Sequence, residues 1–139
     1  MSKLGFWVAG ALVLLLVCGT ADCGGGRDLL SISVSPSSAD AQNYAGGQVQ
    51  FVATGTFSQS PTTAPLTSAD VGWCVGSAAG NCNGNISGGA TVDSNGLAQC
   101  QLGFQGTVTL LAGKAETTQV NPDAPYPLKI FGAAQLTCP

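Results

Sequence analysis

From Leu29 onward, apolar side chains recur at every second residue, and no window carries a convincing 3.6-residue period. That alternation admits half-buried strands and leaves little room for helices. Leu30, Ile32 and Val34 share one face, followed by Pro36 and a serine-rich turn. Gly46-Gly47 opens a second run, with Val49, Phe51, Ala53 and Phe57 on one side and Gln48, Gln50, Thr54 and Thr56 on the other. Val71, Trp73 and Val75 mark a third strand, Ala90–Val92 a fourth and Leu97–Gln101 a fifth. Val108, Leu110 and Ala112 mark a sixth, and Leu128, Ile130, Ala134, Leu136 and Cys138 a seventh, all of one parity. Turn chemistry separates them: a Pro/Ser/Thr loop at 58–69, a Gly/Ser/Asn loop at 76–89, and a three-proline loop at 115–127. Asp93-Ser94-Asn95-Gly96 signals a hairpin. About seven short strands in such a length predict an all-β, two-sheet sandwich, with Phe51, Trp73, Val92, Leu110 and Ile130 in its core.

The first eighteen residues read as an export signal. Lys3 supplies a positive start, and the apolar run Leu4–Val17 is 14 residues long. As a helix it would span about 21 Å, short against a bilayer core of about 30 Å, so a signal-peptide core is the expectation and an uncleaved anchor the lesser alternative. Leu15-Leu16-Val17-Cys18 resembles a lipobox, which makes Cys18 the candidate lipid anchor, although Val17 stands where Gly, Ala or Ser is usual. Gly19-Thr20-Ala21 offers an alternative cleavage after Ala21, giving a secreted chain. Residues 19–28 read as a glycine-rich linker reaching about 17 Å. The domain proper is 29–139.

Of six cysteines, Cys18 and Cys23 lie in the leader region, leaving Cys74, Cys82, Cys100 and Cys138. An even number in an exported domain reads as two disulfides, with three connectivities open. Structural zinc is disfavoured, because there is no histidine and no C-x-x-C spacing. The same absence of histidine removes Ser-His-Asp and Cys-His catalysis. Only 4 Lys+Arg stand against 7 Asp+Glu, which argues against nucleic acid as a partner. No catalytic residue, cofactor or metal is expected: Asp93–Gly96 resembles the start of a calcium loop but lacks its later ligands. Tyr44 and Tyr126 could stack on sugars, but read first as partial core or turn residues.

SISVSPSSA, GGQVQFVATGTF, DVGW, ATVDSNGLAQ and GTVTLLAG together resemble the group 2 bacterial immunoglobulin-like domains, here as a single copy over residues 29 to 138. The resemblance implies a Greek-key sandwich, a cell-surface or periplasmic setting and no shared catalytic residues. In such a sandwich the third, fifth and seventh strands run toward one pole. All four cysteines would then gather there, and Cys74–Cys82 with Cys100–Cys138 is the pairing implied. The loops at 58–69 and 115–127 would lie at the other pole, facing the membrane of an anchored chain. The expected function is a noncatalytic, exported module, membrane-anchored in the cell envelope, with a structural or interaction role. The alternative is a domain that binds carbohydrate or peptide through the loops at 76–89 or 115–127. A partner protein or glycan is not named by the sequence.

Overall fold

A computed structural model describes residues 27–83, 88–115 and 124–139. The leader, with Cys18 and Ala21, lies outside the described residues, as do the tips of two loops. The described chain is almost entirely strand: β1 (Leu29–Ser35), β2 (Ser38–Asp40), β3 (Gln48–Gln50), β4 (Val52–Phe57), β5 (Thr63–Pro65), β6 (Gly72–Gly76), β7 (Asn81–Cys82), β8 (Ala90–Val92), β9 (Leu97–Cys100), β10 (Gly106–Ala115) and β11 (Tyr126–Cys138). Two single-turn helices, Ala41–Asn43 and Ala45–Gly47, bridge β2 to β3.

These strands form three hydrogen-bonded sheets, ordered β1-β4-β5, β3-β9-β8 and β10-β6-β7-β11-β2, with β10 and β11 also paired. Phe51 alone separates β3 from β4, so the first two sheets are joined through one continuous stretch of chain. Together they make one layer of a sandwich-like molecule, and the third sheet makes the other. Between the layers lie Val34, Val49, Phe51, Ala53, Ala98, Leu110, Ala112 and Leu136, all buried. Trp73, Val92 and Ile130, expected wholly inside, are half-buried and pack against the rim of this core. No polar or charged side chain is buried among the described residues, which is what a layer interface without internal hydrogen-bond partners requires.

One edge is closed by the first strand changing layers. β1 pairs antiparallel with β4, and after Pro36 the chain joins β11 in parallel through Ser38–Asp40. The crossing is tight. A Cβ on Gly132 of β11 would lie 2.7 Å from the Ile32 carbonyl oxygen of β1.

The long final hairpin departs from simple alternation. β10 and β11 pair from Gly106↔Cys138 to Lys114↔Ile130, and then a bulge makes Ala115 face Leu128. The extra residue, Lys129, turns Leu128 to the opposite face. Leu128, expected on the inner side with Ile130, instead joins Leu111, Cys74, Cys82, Tyr126 and Phe131 in a second apolar cluster on the outer face of the sheet.

Candidate functional site

Among the described residues, the carboxylates of Asp40, Asp70 and Asp93 are committed to local hydrogen bonds. Asp93 Oδ1 accepts the amides of Asn95 and Leu97, each at 2.8 Å, and caps the hairpin turn. Gly96, at φ +83°, supplies the left-handed residue that the turn needs. Asp40 accepts the Gln42 amide at 3.1 Å and its side-chain nitrogen at 2.7 Å. Asp70 accepts the Thr67 amide and hydroxyl, both at 2.8 Å, and these bonds hold its carboxyl below the usual carboxylate range. No group of three or more metal-ligating side chains converges among the described residues. The hydrogen bonds of Asp93 and the left-handed Gly96 make residues 93–96 a turn.

The four domain cysteines form two disulfides, Cys74–Cys82 with Cα atoms 5.7 Å apart and Cys100–Cys138 at 5.8 Å. Such bonds persist in oxidising compartments outside the cytosol. They do not share a pole. Cys100–Cys138 joins β9 in one layer to the end of β11 in the other, against the main core. Cys74–Cys82 lies in the outer cluster, opposite Leu111 and hence Ala133. Five residues of strand, about 17 Å, separate that level from Cys138.

The two candidate binding loops also fall differently from the expectation. β7 pairs with the start of β11, Tyr126↔Cys82 and Pro127↔Asn81, and the Leu128 amide donates to the Gly80 carbonyl at 2.9 Å. The bases of the 76–89 and 115–127 loops are thus neighbours, not residents of opposite poles. Gly80 presses on the Phe131 ring, leaving no space for a side chain there. Cys82, in the stretch read from sequence as a Gly/Ser/Asn loop, packs with Leu111, which is fully buried. At the linker end, the Arg27 guanidinium lies 3.8 Å from the Phe57 ring centroid. Asp28 exchanges hydrogen bonds with Ser58, so these two residues are docked on the sheet.

Among the described residues, two half-open clefts have aromatic walls. The larger, about 200 Å³, is bounded by Leu66, Thr67, Ser68, Trp73, Ser94 and Asn95, with the Phe51–Ala53 stretch as its floor. The other, about 180 Å³, lies at the Cys100 end and is lined by Gln42, Tyr44, Gly46, Gly47, Gln99 and Pro139. Tyr126 lines neither and is half-buried in the outer cluster. Trp73 was legible as core. That the turns at 66–68 and 94–95 would gather beside it was not, since nothing in their composition distinguishes them from other turns. Comparison of the chain with protein-family models and with curated proteins finds no match.

Proposed function

We propose that this chain is a noncatalytic, exported module of the cell envelope, an immunoglobulin-like Greek-key domain similar to the group 2 bacterial immunoglobulin-like domains, tethered to a membrane through Cys18. The observation that carries the reading is the pattern of strand pairing. Counting the seven principal strands, the first pairs with the second, the second with the fifth and the fourth with the fifth. The third pairs with the sixth and the sixth with the seventh. The leading strand then switches layers to run parallel to the last. These pairings support a division into ABED and CFG layers like that of immunoglobulin domains. The disulfides support export, and the local commitment of Asp40, Asp70 and Asp93 supports a structural or interaction role over catalysis.

Detergent-phase partitioning of the full chain, beside its Cys18→Ala variant, tests the anchor. The native chain should enter the detergent phase and the variant should move to the aqueous phase. Equal partitioning, with an N-terminus at Asp22 by mass spectrometry, would mean cleavage after Ala21 and a secreted protein instead.

A second reading, a domain binding carbohydrate or peptide through the 76–89 and 115–127 loops, is favoured by the β7–β11 pairing, which sets the bases of the two loops side by side.

A further inference from the structure

We infer that the cleft beside Trp73 is a binding site for one unit of a neutral saccharide, lined by none of the described residues of the 76–89 and 115–127 loops and independent of the membrane anchor.

The cleft is prebuilt. Its floor and walls belong to three separate segments held together by hydrogen bonds that need no ligand. The Gln50 side chain donates to the carbonyls of Phe51 (2.9 Å) and Asn95 (2.7 Å), tying the hairpin turn to the β3–β4 junction. The Phe51 amide donates to the Gly96 carbonyl, and the Leu66 amide to that of Ala53, both at 2.9 Å. Asp70 fixes the Thr67 turn. A site already in its binding shape loses little ordering entropy when filled.

Its lining has the two-sided chemistry of a sugar ring. The Trp73 indole, Leu66 and the exposed Val52 offer apolar surface for ring C–H groups. Exposed Ser68, Ser94 and Asn95 also line it, and no hydrogen bond joins their side chains to other described residues. Hydroxyl and amide groups can both donate and accept, as sugar hydroxyls require. No charged side chain lines the cleft, so nothing in it pairs with an anionic ligand. Phosphates and acidic sugars are therefore poor occupants. At about 200 Å³ the cleft suits one sugar ring rather than a longer chain.

Trp7 and Trp73 are the only tryptophans, so the full chain carrying Trp7→Phe reports on Trp73 alone. In a detergent without a sugar headgroup, its emission is followed while cellobiose, maltose or N,N′-diacetylchitobiose is added. At least one of them should give a saturable shift. In the same background, Asn95→Ala and Ser94→Gln, checked for an unchanged far-ultraviolet circular-dichroism spectrum, should weaken that binding at least tenfold. Tyr126→Ala, in the outer cluster, should leave it unaltered. The inference is overturned by no saturable shift with any of the three. It is equally overturned by full affinity in both cleft variants, by loss only in Tyr126→Ala, or by a response to a neutral tripeptide or to a galacturonic acid oligomer alone.

Discussion

Single residues set the spacing of the two layers. Gly132 is buried where β1 crosses β11, and the atoms that a Cβ would meet are the Ile32 carbonyl oxygen and carbon at 2.7 and 3.0 Å. Backbone cannot rotate away as a side-chain tip can. Gly132→Ala must therefore push β1 outward, and it should cost about 1–3 kcal/mol, read as a lower urea midpoint. An unchanged midpoint would mean that the layers are less tightly juxtaposed at this edge. Asp70 makes a different kind of contribution. Its carboxyl is held low chiefly by the Thr67 amide and then by the Thr67 hydroxyl, and Lys114 adds a smaller pull in the same direction. A depressed folded-state value means that the stabilisation is fully present above the unfolded-state range near about 3.9 and is lost as pH falls through the folded value. Asp70→Asn should therefore flatten the acid side of the melting-temperature curve while leaving its neutral-to-alkaline shape alone. An acid limb identical to that of the native chain would show that the Thr67 turn does not hold the carboxylate in solution.

At the scale of elements, what alternation could reveal was the inner face. Val34, Phe51, Leu110 and Leu136 are buried where period two places them, and Asp93–Gly96 closes a hairpin because its side chain and glycine suit that turn. Alternation could not show an outer face that is also covered. Leu111 has the wrong parity for the main core and yet is fully buried, since two-residue β7 and the start of β11 fold over it. Both are too short or too polar to register as strands by pattern. Nor could it show a bulge: one inserted residue reverses every following side chain, and nothing in Pro-Leu-Lys-Ile marks Lys129 as the extra one. The candidate site was opaque for a related reason, because Trp73 meets Ser68 and Asn95 only through the fold. The outer cluster has its own staple. Converting Cys74 and Cys82 together to alanine opens a loop with sequence separation 8, worth about 2.6 kcal/mol by loop entropy. Trypsin-independent nicking between Ser77 and Cys82, by a broad-specificity protease, should rise. If cleavage still began elsewhere, β7 would be held without its disulfide.

On the scale of the whole molecule, the layers are fastened at two places that share no residue. β1 and β2 close one edge by changing sheets, and Cys100–Cys138 ties β9 across the core to the end of β11, next to the Gln135–Thr137 stretch that β2 pairs with. The second fastening closes the longer loop, with sequence separation 38, so its removal frees more chain entropy, about 3.9 kcal/mol. Typical domains are stable by only about 5–15 kcal/mol, and this core contains few large side chains besides Phe51 and the leucines. Replacing Cys100 and Cys138 together by alanine should thus lower the global urea midpoint more than the Cys74/Cys82 pair does. Amide exchange should separate the two cases further. Loss of Cys100–Cys138 should raise exchange across β10, β9 and β4 alike, because it weakens the cooperative core. Loss of Cys74–Cys82 should raise it mainly around Gly76–Cys82 and Tyr126–Leu128. Equal midpoints with the same exchange pattern would mean that the outer cluster and the main core unfold as one unit, and that the second cluster is part of what keeps the two layers together.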